Sequence, residues 1–243
     1  MTGVIWHDLE CGHYTRDLQL WGELADRQAS GTPVLDVGAG TGRVTLSLAR
    51  AGHAVVALDR DPELLEELQR RAAGLRVETV QADARDFDLA GRSFNLILVP
   101  MQTVQLLGGA AGRLAFLSCA LEHLSPRGQL AVSIAPIDDF EEFRWQEGDP
   151  SPLPDIAEIA GRAYFSQPTA VQRQGDTFVL ERRREIVDPD GARVLSDDRI
   201  ALDVLTVSQL QQNGRDAGLR PVDVLRIPPT DEHIASEVVI FGV

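Results

Sequence analysis

The sequence is short of several features that would point directly to a function. Only two cysteines occur, Cys11 and Cys119, too far apart for metal-ligand spacing, which favours a reducing compartment. No apolar run is long enough to cross a membrane, and the N-terminus lacks a signal-peptide pattern, so we expect a cytoplasmic protein. Basic residues are scarce: the formal net charge is −14, which disfavours nucleic acid as a partner.

The composition fits one large domain, or one domain carrying an insertion. Apolar residues make up 44% of the 243 residues, so a sizeable core can form. The one dense basic run is Arg182-Arg183-Arg184. On a strand these side chains alternate between faces, so we do not expect a continuous basic stripe.

From Pro33 to Ala135 short apolar runs alternate with amphipathic stretches, the pattern of parallel βαβ units. The strand candidates are mostly apolar on both faces, as strands covered by helices on both sides must be. They are Val34–Val37, Ala54–Leu58, Arg76–Gln81, Phe94–Val99 and Gln129–Ala135. The pattern predicts an α/β fold with a mostly parallel, Rossmann-like sheet.

Three helices are predicted beside these strands. Asp61-Pro62 opens one of them, with Asp61 as N-cap and Pro62 at the first helical position. A second helix ends at Ser125-Pro126 and carries Leu114, Leu117, Leu121 and Leu124. A third precedes the first strand and carries Tyr14, Leu18, Trp21, Leu24 and Ala25.

The pattern changes after Pro136. The acidic, proline-rich segment Asp138–Pro154 predicts a loop or mobile cover. Three alternating segments then predict antiparallel strands joined by tight turns: Arg162–Val171, Thr177–Val187 and Arg193–Leu205. A helix near Ser208–Ala217 and strands Pro221–Ile227 and Glu237–Val243 complete the chain.

We therefore expect residues 1–137 and 206–243 to form the main domain. Residues 138–205 would be an insertion with a small antiparallel sheet. Together with residues 1–20, the strands 162–205 would cap a substrate site; otherwise the insertion would serve dimerisation, and a homodimer is left open.

A glycine-rich segment, Val34–Gly42, has the order strand, Gly-x-Gly-x-Gly, helix, which is typical of nucleotide sites. Glycines let the backbone turn tightly and approach a ligand, and the following helix N-terminus favours an anionic group. Asp36 lies two residues before Gly38. Asp59 ends the second strand, where a carboxylate can accept two ribose hydroxyls, and Asp83 follows the third, where it could accept an adenine amino group. All three acids are predicted at the edge where open parallel sheets bind ligands.

The series Val34–Gly42, Val55–Asp61, Gln81–Phe87, Phe94–Leu107 and Leu124–Ile134 resembles the successive motifs of class I S-adenosylmethionine (SAM)-dependent methyltransferases. The resemblance is greatest to the branch that methylates small molecules. It implies a Rossmann-like sheet whose last strand is antiparallel, with SAM as cofactor and S-adenosylhomocysteine (SAH) as product.

The resemblance also implies roles for particular residues. Gly38, Ala39 and Gly40 would pass under the methionine part of SAM, with Asp36 beside them. Asp59 would bind the ribose and Arg60 would lie beside the adenine, whose edge Asp83 and Ala84 would hold. The residues flanking the sulfonium would be Pro100, Met101 and Gln105. Tyr14 resembles the aromatic residue that closes over the cofactor in this branch, although it could equally be a core residue of its helix.

In methyl transfer from a sulfonium, the cofactor supplies the activated methyl group, so the protein mainly aligns donor and acceptor and excludes water. Metal-dependent O-methyltransferases place an acid at the end of the fourth strand; here Val99-Pro100 stands there, so we expect no catalytic metal. A neutral amine needs no strong base, whereas a hydroxyl is helped by one. His7, His13 and His233 are weak candidates for a base, and the catalytic residue stays unknown.

Two other functions compete with this interpretation. A nicotinamide-dependent dehydrogenase shares the loop, but its fingerprint requires a small residue where Arg43 stands. A non-catalytic protein of the same fold, which binds a partner or senses the cofactor, stays open because fold does not fix function. The sequence names neither the acceptor nor the choice between N- and O-methylation, and small molecules are the expected partners.

Overall fold

The computed structural model describes residues 2–28, 31–136, 152–230 and 233–243. These form two sheets. A seven-stranded sheet has the order β10-β11-β5-β4-β1-β2-β3, and a separate four-stranded sheet has the order β6-β7-β8-β9. Strand β11 lies antiparallel between β5 and β10, whereas β1 to β5 pair in parallel. The predicted α/β fold, with its antiparallel last strand and its inserted antiparallel sheet, is confirmed.

The five parallel strands lie where the apolar runs predicted them. They are β1 (Val34–Val37), β2 (Val55–Asp59), β3 (Val77–Gln81), β4 (Phe94–Val99) and β5 (Leu124–Ile134). The central strand β4 is buried over most of its length, because helices cover both faces of the sheet. Pairing of β5 with β4 shifts register between Phe94 and Leu96, opposite residues 125–128 of β5, and is regular from Gln129.

The helices that flank these strands are α3 (Arg43–Arg50), α4 (Pro62–Arg71) and α5 (Gly109–Glu122), and a 3-10 turn covers Thr103–Leu106. Asp61 caps α4 as predicted, because its side chain accepts hydrogen bonds from the backbone of Glu63 and Leu64. After the inserted sheet, α6 (Val207–Asp216) leads into β10 (Arg220–Ile227) and β11 (Ser236–Gly242). In the part of the chain that is described, no helix is long and apolar enough to cross a membrane.

The N-terminal region differs from the prediction. Two helices are present, α1 (Thr2–Cys11) and α2 (Leu18–Asp26), and Tyr14 lies in the turn between them rather than on a helix. Leu18, Trp21, Leu24 and Ala25 do belong to α2. Tyr14 leaves the helix because its backbone carbonyl is held by the Arg43 side chain, at 2.8 Å, instead of continuing a helical ladder.

The inserted sheet contains one strand more than predicted. The three predicted strands are β7 (Arg162–Gln174), β8 (Thr177–Val187) and β9 (Arg193–Asp203), and β6 (Asp155–Ile159) precedes them. All four form an antiparallel meander. The predicted cover at 138–154 lies, up to residue 151, outside the described residues.

Candidate functional site

A cavity of about 780 Å³ lies at the carboxyl ends of the parallel strands, where the strand order reverses between β1 and β4. Open α/β sheets bind their ligands at this position. Its walls come from the glycine loop after β1, the loop after β4, helix α1, the segment before β11 and one face of the inserted sheet. Helix α1 and the inserted sheet therefore cover the same cavity that the glycine loop opens into.

The glycine loop has backbone conformations and contacts that exclude larger residues. Gly38 has φ +75°, and an added Cβ would lie 2.5 Å from a Thr103 side-chain carbon. Gly40 has φ +54°, and its Cβ would lie 2.3 Å from Nε2 of His7. Only glycine adopts such φ values without strain, so this backbone can stay close to a ligand in the cavity.

Asp59 fastens the loop from the end of the neighbouring strand. One carboxylate oxygen accepts the backbone N–H of Gly40 at 2.8 Å, and the other accepts that of Asp61 at 3.0 Å. Each carboxylate oxygen has more than one acceptor site. The half-buried Asp59 therefore holds the loop and still faces the cavity with acceptor capacity for hydroxyl groups.

Asp36 lies beneath the loop and is almost fully buried. Its Oδ2 accepts the hydroxyl hydrogen of Thr45 at 2.6 Å, while Oδ1 has no hydrogen-bond partner among the described residues. Burial raises the pKa of this carboxyl from its usual 3.8 to about 6. A buried carboxylate with one unsatisfied oxygen, lining a cavity, suits a cationic ligand group.

Asp83 lies at the rim of the cavity beside Arg60 and Ala84. Its carboxylate forms a two-pronged pair with Arg85, at 2.9 and 2.6 Å, and hydrogen bonds to Arg85 lower the pKa of the Asp83 carboxyl to about 2. Both side chains are largely exposed, so this pair adds little stability. It does keep Asp83 charged and fixed where it meets the cavity.

Arg43, which is too large for a dinucleotide fingerprint, has a structural task here. Its guanidinium binds both carboxylate oxygens of Asp17, at 2.5 and 2.7 Å, and packs 5.2 Å from the centre of the Tyr14 ring. Asp17 is buried and also accepts the indole N–H of Trp21 at 2.8 Å. This network fixes Tyr14 against the cavity, where its ring also lies 4.8 Å from that of His233.

The loop after β4 lines the cavity with Pro100 and Met101, together with Gln102 and Thr103. Gln105, which was expected beside them, is instead buried outside the cavity lining. Its amide donates to the carbonyl of Asp203 at 2.9 Å and accepts the N–H of Ala135 at 2.8 Å. Gln105 thus bridges the end of β5, where the chain leaves the seven-stranded sheet, and the end of the inserted sheet.

The three candidate histidines have different positions. His7 lies over the glycine loop, with Nδ1 3.3 Å from the Thr41 hydroxyl, and burial lowers its pKa below the usual 6.5. His233 also lines the cavity, against Tyr14. His13 is exposed and does not line the cavity, because it lies in the turn after α1.

Helix α1 belongs to the N-terminal segment that was expected to cap the site, but the sequence did not indicate which contacts hold it there. Asp8 accepts the Thr41 hydroxyl at 2.6 Å and pairs with Arg71 of α4, which ties α1 to the glycine loop. On its other side Glu10 pairs with Arg184 of β8 at 2.7 Å, and Trp6 meets Tyr164 of β7 edge to face at 5.5 Å. These contacts join residues far apart in the chain, so no local pattern predicts them.

The inserted sheet turns an ordered face toward the cavity. Cross-strand neighbours on this face are Phe178 with Leu202, Leu180 with Ile200, and Arg182 with Asp198. Phe178 and Leu202 pack against Ala135 at the end of the seven-stranded sheet. The wall therefore changes from apolar near the parallel strands to charged near α1.

Known proteins share both the domain and the fold. Residues 34–128 match the family profile described as a methyltransferase domain. A cypemycin N-terminal methyltransferase from a Streptomyces species is 32% identical over 123 residues, which cover 51% of this chain and 49% of that protein. A demethylmenaquinone methyltransferase from Tropheryma whipplei is 35% identical over 42% of this chain and 41% of that protein. The chain thus spans about half the length of the curated relatives it matches.

Solved structures resemble the whole chain. The sugar N-methyltransferase KedS8 from Streptoalloteichus superposes with a TM-score of 0.74 at 17% identity, covering 100% of this chain and 93% of that one. SAM-bound CalS10 from Micromonospora echinaspora gives 0.70 at 22% identity, covering 97% and 96%. Residues 34–128 are therefore similar to a methyltransferase domain, and the chain shares the fold of these SAM-dependent methyltransferases.

Proposed function

We propose that this chain is a metal-free methyltransferase that uses SAM to methylate a nitrogen of a small molecule. The observation that carries the proposal is the Asp36 carboxylate, buried under a glycine loop with one oxygen that has no partner among the described residues. The α-ammonium group of SAM is the cation that this position suits. Asp59 and Asp83, at the carboxyl ends of the next two strands, line the same cavity and would meet the ribose and the adenine.

The bound cofactor would supply an activated methyl group on a sulfonium. Asp59 would accept the ribose hydroxyls, while Asp83 and the backbone of Ala84 would hold the adenine edge beside Arg60. Gly38, Ala39 and Gly40 would lie along the methionine part, and Pro100 and Met101 would flank the sulfonium. Tyr14, fixed by Arg43, would close this part of the cavity against water.

Nitrogen is the preferred acceptor atom because one relative and one solved structure named above are N-methyltransferases. An amine that arrives neutral already has the lone pair that an in-line displacement needs, so it requires no strong base. This agrees with a site whose catalytic base is unassigned.

We also propose that different segments of the chain bind the cofactor and the acceptor. Residues 1–137 and 206–243 would bind the cofactor, and the insertion 138–205 would cap the acceptor. Helix α1 supports this assignment because it contacts the glycine loop through Asp8 and the inserted sheet through Glu10.

The test is calorimetric titration of SAH into the wild type and into Asp59→Ala. We expect binding in the micromolar range for the wild type. The variant should bind at least tenfold more weakly, because charge-assisted hydrogen bonds to two hydroxyls contribute about 1.5–3 kcal/mol. Asp59→Asn, which keeps an acceptor oxygen, is the matched control and should lose less affinity.

Methyl transfer is then measured as SAH released from SAM in the presence of a panel of amines and phenols. SAH binding without turnover across the panel would favour a non-catalytic binding protein of this fold. Binding of NAD in place of SAH would overturn the proposal altogether.

A further inference from the structure

The pair Arg182 and Asp198 on the inserted sheet has hydrogen-bonding atoms directed to no other described residue. The two are directly opposite in the β8–β9 register, and both line the cavity. Arg182 uses only Nη1, which donates to Asp155 at 3.0 Å and to Ser166 at 3.2 Å. Asp198 uses only Oδ1, which pairs with Arg184 at 2.9 Å. Within the described residues, Nε and Nη2 of Arg182 and Oδ2 of Asp198 have no partner.

The neighbouring cross-strand pair on the other face behaves differently. Arg183 and Asp197 are also directly opposite one another, and there the side chains pair with each other at 3.5 Å. Their exposed fractions are 60% and 80%, against 13% for Arg182 and 27% for Asp198. On the outer face, an opposed arginine and aspartate thus form a surface ion pair with each other. On the cavity face, the same two residue types in the same register bind other partners instead.

The geometry of these groups selects a ligand class. The Nε–Nη2 edge of a guanidinium donates two nearly parallel hydrogen bonds, which fit a carboxylate, a phosphoryl group or two adjacent hydroxyls. Among the described residues, the ion pairs on this part of the wall contain three carboxylates, those of Glu10, Asp155 and Asp198, and two guanidiniums, those of Arg182 and Arg184. The excess of negative charge disfavours an anion. Two adjacent hydroxyls remain, because their oxygens accept from Arg182 while one of their hydrogens is donated to Asp198.

We propose that the methyl acceptor carries an uncharged pair of adjacent hydroxyl groups that binds Arg182 and Asp198; this rests on the proposed function. The next pair on the same face, Leu180 and Ile200, is two residues away, about 7 Å along the strands, and offers an apolar surface. The acceptor is then a hydroxylated amine with an apolar middle, of the kind found in amino sugars. Its hydroxyls lie against the charged end of the wall, and its amine points toward the parallel strands.

The experiment uses three amines built on one ring: 3-aminocyclohexane-1,2-diol, cyclohexylamine and 3-aminocyclohexanecarboxylate. Each is titrated into the SAH-loaded full chain, and its turnover with SAM is measured. We expect the diol to bind at least tenfold more tightly than cyclohexylamine. Arg182→Gln and Asp198→Asn should each remove this preference while SAH affinity stays within twofold. Arg183→Gln and Asp197→Asn, on the opposite face, should retain it.

Several outcomes would overturn the proposal. These are equal binding of the diol and cyclohexylamine, tighter binding of the carboxylate, or a diol preference that survives in both cavity variants. Arg182 also donates a hydrogen bond to Asp155, so Arg182→Gln could fail to fold. In that case the isosteric Asp198→Asn alone shows whether the diol preference depends on this pair. Failure of SAH to bind the wild type would contradict the methyltransferase proposal instead, and the three amines titrated into the protein alone would then test the pair separately.

Discussion

The parallel sheet and the inserted sheet of this chain are stabilised in different ways. Strand β4 buries nearly every side chain, and its apolar contacts would form with many sequences of the same pattern. The inserted sheet instead leaves much of β9 exposed to solvent; its consecutive residues Val194 and Leu195 are 57% and 63% exposed. On its cavity face, ion pairs such as that of Arg184 with Glu10 fix the wall. The parallel sheet, which would bind SAM, is stabilised by buried apolar contacts. The inserted sheet, which would contact the methyl acceptor, is stabilised by specific polar pairs.

The largest expected effect tests this contrast inside the parallel half, where Arg43 and Asp17 form a buried ion pair. We expect Arg43→Met to lower the free energy of unfolding by about 3–5 kcal/mol, because it leaves the Asp17 carboxylate buried without a charged partner. Urea unfolding measures this. Arg50→Met, an exposed position on the same helix, is the control and should cost below about 1 kcal/mol. Equal losses in both variants would mean that Arg43 has no special structural task.

A smaller effect is expected at the joint between the two halves. Gln105→Met should cost about 2–4 kcal/mol, because the N–H of Ala135 and the carbonyl of Asp203 both lose their buried partner. SAH affinity should stay within twofold, since Gln105 lies outside the cavity lining. Exposed Gln172→Met on β7 serves as the control for unfolding. A tenfold loss of SAH affinity in Gln105→Met would restore the original prediction that this residue flanks the sulfonium.

The smallest expected effect is a pH dependence of SAH affinity that arises in the parallel half, at Asp36. Because the pKa of Asp36 is raised to about 6, its carboxyl becomes neutral as the pH falls through 6 and no longer attracts an ammonium group. SAH affinity should therefore be level above pH 7 and fall about tenfold for each pH unit below 6. Calorimetry with Asp36→Asn, which cannot ionise, should give weaker binding without that slope.

The raised pKa of Asp36 also makes the stability of the unliganded protein depend on pH. A raised pKa means that folding favours the protonated form of Asp36. The contribution of this carboxyl to the free energy of unfolding is therefore fully present below pH 3.8 and is lost as the pH rises through 6. The free energy of unfolding of the wild type, relative to Asp36→Asn, should decrease between pH 4 and pH 6. A flat difference over that range would show that the Asp36 carboxyl titrates normally.

Much of the parallel half could be predicted because its signals are local. Runs such as Phe94–Val99 are apolar throughout, and Asp61-Pro62 marks the start of α4 within two residues. The acids at 36, 59 and 83 could be placed on one edge because the carboxyl ends of parallel strands meet there. Their surroundings could not: nothing in the sequence shows that Arg85 pairs with Asp83 or that one oxygen of Asp36 has no described partner.

The remaining features depend on contacts between distant parts of the chain. The contacts of helix α1 were missed because the partners of its Glu10 and Trp6 lie in the inserted sheet, more than 150 residues away. Gln105 was misplaced for the same reason, since its partners are 30 and 98 residues further along the chain. The small strand β6, of five residues, has only an edge position and no clear alternation to reveal it.

The bridge made by Gln105 has a consequence for how such a protein can diversify. The chain leaves the seven-stranded sheet near Ala135, the inserted sheet ends at Asp203, and one side chain reaches both places. A segment whose two ends lie side by side can be exchanged for another without stretching the scaffold that carries it. The inserted sheet is in this sense an interchangeable module. Another segment with the same spacing between its ends could replace it and change the acceptor specificity, while the SAM-binding part of the fold stays the same.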